Sequence, residues 1–206
     1  MGTRGCYGFY KNGQTKVTYN HFDSYPEYLG KSIIEFLKNT SIEELNEIFE
    51  KIIMVKQDSK PTKKQITQLK KYADLRVSSQ SLDEWYVLLR NIQGDLNPYK
   101  KDLVYMIDSQ DFLTDSLFCE WAYIINLDIN ELEIYKGFNK IKTNQAKRYK
   151  ISKPDDQGYY SISPFLTFTF DEINKLSLEE ILGYIEKLRK QLDKKNFGDQ
   201  MLGLMK

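Results

Sequence analysis

The sequence predicts an α+β domain: an antiparallel sheet built from two β-hairpins plus a further strand, covered by helices. Three observations predict it. Asn12-Gly13 lies between two short alternating apolar runs, the strongest local signature of a tight hairpin. Five segments open with a hydroxyl residue followed three positions later by Glu or Gln, the reciprocal capping pattern of helix starts. A second run of aromatic and β-branched residues, far along the chain, is followed by a turn and an alternating return.

In order, Cys6–Tyr10 reads as a strand, Lys11-Asn-Gly-Gln14 as its turn, and Thr15–Tyr19 as the returning strand. Ser24-Tyr-Pro-Glu27 opens a helix in which Leu29, Ile33, Ile34 and Leu37 share one face; Pro26 suits a first turn, where its missing N–H has no partner to lose. Ser41-Ile-Glu-Glu44 opens the next, with a stripe of Ile42, Leu45, Ile48, Phe49, Ile52 and Ile53. Thr62-Lys-Lys-Gln65 begins a peripheral, lysine-rich helix reaching Asp74, and Ser81-Leu-Asp-Glu84 begins a helix bearing Trp85, Leu88, Leu89 and Ile92. The second hairpin comprises Leu117–Asn126, a turn at Asp128-Ile-Asn130, and Leu132–Gly137. Ser161–Phe170 is a further strand that Pro164 either breaks or confines to an edge. Ser177-Leu-Glu-Glu180 opens the last helix, striped by Leu178, Ile181, Leu182, Ile185, Leu188 and Leu192. Phe197–Lys206 forms a tail, either disordered or docked through Met201, Leu202 and Leu204. Residues 1–206 thus read as a single domain, with 40–100 a largely helical insertion and 139–158 a mobile loop.

Composition narrows the function classes. Thirty basic residues balance 29 acidic ones, so general nucleic-acid binding, which relies on a basic excess to displace counterions, is not expected. Cys6 and Cys119 are too few for a disulfide framework or a zinc centre and read as buried thiols; no metal and no cofactor is expected. No apolar run is long enough to cross a membrane and no secretory leader opens the chain, which implies a soluble protein of the cytoplasm.

The candidate site follows the first hairpin. The sole histidine, His21, stands two residues from Asp23, a spacing that in a strand puts both on one face. Arg4 lies at the same end of the neighbouring strand and can hold an anion, while Asn20 and Tyr25 flank the pair. Arg4, Asn20, His21, Asp23 and Tyr25 are therefore the expected ligand-binding residues, with His21 and Asp23 setting hydrogen-bond orientation and Trp121 or Tyr123 as neighbours on the second hairpin. Two hydrolase alternatives stand beside it: a His21/Asp23 site, or Cys6 as an N-terminal nucleophile if Met1–Gly5 were removed. Tyrosines near the hairpin and lysine-rich stretches at 56–71 and 139–150 could also bind bases and phosphates, although such residues more often form core and solvated faces.

Met1-Gly-Thr-Arg-Gly5, Tyr19-Asn-His-Phe-Asp-Ser-Tyr-Pro26 with Leu29-Gly30, and Cys119–Asp128 with Leu132–Gly137 together resemble an uncharacterised family found in bacteriophages and bacterial mobile elements. The resemblance covers the two hairpins and thins out between them. It implies a soluble, phage-type accessory protein in the cytoplasm of a bacterial host. Such a protein would bind a small anionic ligand, a nucleotide or a host protein to counter host defence. A protein–protein interaction module without a small-molecule site is the remaining alternative.

Overall fold

The structure, a computed structural model, describes residues 2–204, with side chains described for residues 2–192. Strands β1 (Gly5–Lys11) and β2 (Gln14–Asn20) form the first hairpin, and Asn12 (φ 49°) and Gly13 (φ 78°) supply the left-handed turn that its twist requires. The chain then runs through a π-helical turn, Pro26–Gly30, into α1 (Lys31–Lys38), followed by α2 (Ile42–Lys51), β3 (Ile53–Val55), α3 (Lys63–Leu69), α4 (Trp85–Leu88) and β4 (Tyr105–Ile107). The second hairpin is β5 (Trp121–Asn126) and β6 (Glu131–Lys136); β7 (Ser163–Thr169), α5 (Phe170–Lys175) and α6 (Leu178–Leu204) complete the described chain.

The five main strands lie in the order β2-β1-β5-β6-β7, so the two hairpins and the later strand do share one sheet, and the α+β class holds. Their junction differs from the expected all-antiparallel layer: β1 pairs with β5 in parallel, from Gly5 opposite Trp121 to Tyr10 opposite Asn126. The long helical crossover between the hairpins is what permits that direction. Two glycines permit the close approach on either side of β1. A Cβ at Gly5 would lie 2.3 Å from the Trp121 carbonyl oxygen, and one at Gly8 (φ 150°) would lie 2.1 Å from that of Lys16. Parallel pairing also brings both hairpin turns to one end, where the Asp128 carboxylate accepts the Asn12 N–H (2.9 and 3.1 Å).

Strand alternation gives the sheet two buried faces. Tyr7, Phe9, Trp121, Tyr123, Ile125, Leu132, Ile134 and Phe168 point to the helices, joining Ile33, Ile34, Leu37, Ile173, Ile181 and Ile185 in the larger core. Cys6, Val17, Ala122, Ile124 and Tyr135 point the other way and are covered by loop residues Leu113, Ala146, Tyr149 and Ile162. Residues 139–158, expected as a loop, contain two 3-10 turns, and Ala146 and Tyr149 from them close this second face. Both cysteines are fully buried and free.

Several element boundaries differ from expectation, each for a local reason. The reciprocal caps form at Ser41/Glu44, Thr62/Gln65 and Ser177/Glu180. At Ser81 the cap fails: Ser81 turns back onto Asp83, Glu84 accepts from Ser78 and Ser79, and the helix is the single turn Trp85–Leu88. At Ser24 it also fails, because the buried hydroxyl accepts from Asn20 Nδ2 (2.9 Å); the Leu29 N–H is taken instead by the Asp23 carbonyl (3.2 Å). The stripe assigned to α2 ends at Lys51, and Ile53 enters β3, which pairs in parallel with β4 beside the edge strand β2. Leu117–Glu120 is a turn rather than strand, closed by the Phe118 and Cys119 amides on the Asp115 carbonyl. The side chains of Phe197–Lys206, and with them the docking residues expected there, lie outside the described residues.

Candidate functional site

Pairing of Gly5 with Asn20 sets Arg4 opposite His21, one register position beyond the hairpin's end. That corner borders the 85–93 segment of the helical layer. The His21 N–H donates to Gln93 Oε1 (3.3 Å), and the same oxygen accepts from Arg90 Nη1 (2.5 Å). His21 Nδ1 is hydrogen-bonded to the Tyr19 hydroxyl (2.9 Å), and its ring is edge-on to Phe22 (4.2 Å between centroids) and Tyr86 (6.5 Å). The Arg90 guanidinium lies 5.1 Å from the Phe22 ring and 5.7 Å from Tyr86, while Arg4 lies 5.1 Å from Phe118. Phe112 closes the back of Tyr19 (5.1 Å). The arrangement is an open shelf: two cations on aromatic rings around a half-buried imidazole.

Its electrostatics follow from burial and those cations. Desolvation is the main cause that lowers the His21 pKa, and the positive charges of Arg90 and Arg4 lower it further, so the ring is neutral at pH 7. Burial raises the Tyr19 pKa against the opposing pull of the same two arginines. The chain has five arginines, and three of them pair with carboxylates: Arg76 with Asp74, Arg148 with Glu133, and Arg189 with Glu27 and Glu186. Arg4 and Arg90 have no ion pair among the described residues, and the buried Arg90 Nε has no hydrogen-bond partner. Asp74, the acid that feels Arg90 through space, is held by Arg76 through two side-chain bonds (2.9 and 3.0 Å). Near Arg4, burial raises the pKa of Glu120, while a hydrogen bond from the Arg4 backbone and the Arg4 charge pull it down.

Of the five expected residues, the structure brings Arg4 and His21 together. Asn20 is buried and structural, donating to Phe22 O and Ser24 Oγ. Asp23 is exposed at φ 50°, and its carboxylate has no partner among the described residues, so the expected His21–Asp23 dyad does not form. Tyr25 is the N-cap of the π-helical turn, without a side-chain bond. Trp121 and Tyr123 are buried on the opposite face of the sheet, the latter donating to Ser24 O (3.0 Å). Cys6 is fully buried mid-layer, its thiol 3.8 Å from the Ser109 carbonyl, so in this fold it has no access to a substrate. The residues missed are Arg90, Gln93 and Tyr86, which reach the corner only through tertiary packing. No cluster of side chains suited to a metal ion exists among the described residues, nor a helix there long and apolar enough to cross a membrane.

A large cleft, about 1440 Å³, lies elsewhere, along β6, β7 and the 137–148 segment. Glu133 is buried in its wall: its carboxylate accepts from Asn126 Nδ2 (2.7 Å), the Tyr135 hydroxyl (2.7 Å) and Arg148. Comparison with protein-family models, curated proteins and solved structures finds no match for the chain.

Proposed function

We propose that the protein binds a small anionic ligand, a nucleotide or other phosphate ester, at the Arg4–His21–Arg90 corner. One observation supports this reading: of five arginines, the two without an ion pair among the described residues are the two that flank His21. A guanidinium offers a rigid fork of donors that matches phosphate and carboxylate oxygens, and one left unpaired beside aromatic rings favours an anion with a planar group. The neutral imidazole has a second nitrogen, Nε2, with no partner among the described residues, available to orient the ligand. The exposed ring of Phe22 and the half-buried Tyr86 supply apolar walls. A signalling nucleotide of a bacterial host is the ligand that the resemblance to phage proteins would favour, and counteracting host defence is the role proposed with it. A hydrolase reading has less support, since His21 lacks a carboxylate partner and Cys6 is enclosed.

The test is a thermal-shift screen with nucleotides, cyclic nucleotides and inorganic phosphate. At a hundredfold excess over Kd, binding adds about 2.7 kcal/mol to stability. For a chain of this size that is a rise in Tm of roughly 5–10 °C. Arg90→Ala and Arg4→Ala should each abolish the shift while leaving the ligand-free Tm within a few degrees. A screen with no shift for any anion, or a shift indifferent to both substitutions, rejects the corner as the site.

A further inference from the structure

We infer that the cleft between β6, β7 and residues 137–148 is a docking groove for single-stranded nucleic acid, separate from the arginine corner. Charge is the first support. Positions 137–154 contain six basic residues and no acidic one, leaving 24 basic against 29 acidic residues elsewhere. The near-neutral total therefore conceals a local excess. Lys140 and Lys147 line the cleft, and Lys142 and Lys150 lie beside them in the same segment; all four are exposed and have no carboxylate partner among the described residues. The one acid buried in the cleft wall, Glu133, is neutralised from within by Arg148.

Rigidity is the second support, because a fixed display of cations loses less entropy on binding than a free lysine loop. Gln145 Oε1 accepts from the Ile151 N–H (2.8 Å) and the Ser161 hydroxyl (3.0 Å), and its Nε2 donates to Lys142 O and Ile151 O. Asn139 Nδ2 donates to Ser161 O (2.9 Å), and Arg148 is clamped to the sheet by Glu133 and by its stacking on Tyr10 (4.1 Å).

Shape and aromatic content select the occupant. A cleft of about 1440 Å³ exceeds the roughly 300–1,000 Å³ usual for one small ligand and suits an extended chain. Phe138 is 51% exposed at its rim, edge-on to Tyr159, over which Lys140 Nζ lies at 4.4 Å. A basic track with an exposed ring is what unpaired bases use, by phosphate contact and stacking. An acidic polypeptide would meet the same lysines but has no use for the ring.

The test is fluorescence anisotropy with a labelled twelve-residue oligothymidylate, alongside a duplex of equal length and poly-glutamate as competitor. Four phosphate contacts predict a slope of about −2.8 in log K against log salt, or roughly fiftyfold weaker binding from 50 to 200 mM. Lys140→Glu with Lys147→Glu should weaken oligothymidylate binding at least tenfold, and Phe138→Ala about tenfold, with unchanged circular dichroism. Arg4→Ala with Arg90→Ala should leave it intact, which separates this groove from the proposed anion site. No binding at 50 mM salt overturns the inference. So does binding lost with the arginines rather than the lysines. Equal binding of duplex or poly-glutamate, indifferent to Phe138→Ala, would make the surface a site for acidic proteins instead.

Discussion

Removing either partner of the Glu133–Arg148 pair should destabilise the protein far more than a surface charge change would. Glu133 lies on β6 facing the second core, its side chain 9% exposed, and three donors converge on its two oxygens: Asn126, Tyr135 and Arg148. Tyr135 is itself buried, and burial raises its pKa well above the usual phenol value, so its hydroxyl stays a donor across the ordinary pH range. Breaking a buried pair by deleting one partner strands the other, at about 3–5 kcal/mol. Glu133→Ala additionally leaves Asn126 and Tyr135 without their acceptor, so a loss of about 4–5 kcal/mol is expected. Arg148→Ala leaves a carboxylate still satisfied by two neutral donors, and about 3 kcal/mol is expected. Against a typical total of 5–15 kcal/mol, either is a large fraction, lowering Tm by roughly 6–20 °C. The double variant should be less destabilised than the sum by at least about 1–2 kcal/mol, since the buried Glu133 carboxylate that Arg148→Ala leaves without its cation is then absent. Urea unfolding followed by circular dichroism and by Trp85 and Trp121 fluorescence measures all four corners of the cycle. Strict additivity, or Glu133→Gln within about 0.5 kcal/mol of wild type, would refute the reasoning.

Two further outcomes are expected. Tyr7→Phe should cost about 2–3 kcal/mol in urea unfolding, because the fully buried hydroxyl accepts from the Gly94 N–H (2.8 Å) and donates to Ile92 O (3.2 Å), and both lose their partner at once. The pH dependence turns on His21, whose folded pKa is lowered by burial first and then by Arg90 and Arg4. The unfolded chain then binds the proton more readily, so this contribution to stability is intact above about pH 6.5 and declines as pH falls below it. His21→Gln should remove that slope, read as the wild-type minus variant difference in unfolding free energy between pH 7.5 and 5.5. A bound anion reverses the sign: it favours imidazolium, so ligand affinity should rise over the same interval in wild type and stay flat in His21→Gln.

Much of the architecture was legible because it rests on local signals. Asn12-Gly13 dictates its turn whatever surrounds it, and three of the five reciprocal caps form because nothing buried competes for their hydroxyls. Ser24 failed where tertiary structure intervened: it is enclosed, and Asn20 claims its oxygen. Thr169–Glu172 carries the same pattern and caps α5 in full, so that helix start was readable in the chain and was absorbed into the preceding strand. The parallel junction of β1 with β5 had only an indirect trace, in Gly5 and Gly8, whose missing side chains admit neighbouring backbones on both sides of one strand.

The candidate site was half legible for a related reason. Arg4 and His21 follow from hairpin register, which sequence determines; Arg90 and Gln93 come from a segment whose position depends on how the helical crossover settles against the sheet edge. Whole-chain charge could not reveal them. What distinguishes Arg4 and Arg90 from Arg76, Arg148 and Arg189 is that no ion pair forms to either among the described residues, a property of three-dimensional neighbours. Arg4 and Arg90, without an ion pair among the described residues, lower the pKa of the single histidine they flank and so resist its protonation. An anion at the proposed site would relieve that effect. If the proposed anion site is correct, the interactions that make the free protein sensitive to acid also favour the ligand, and the opposite pH trends expected of stability and affinity are two readings of one electrostatic arrangement.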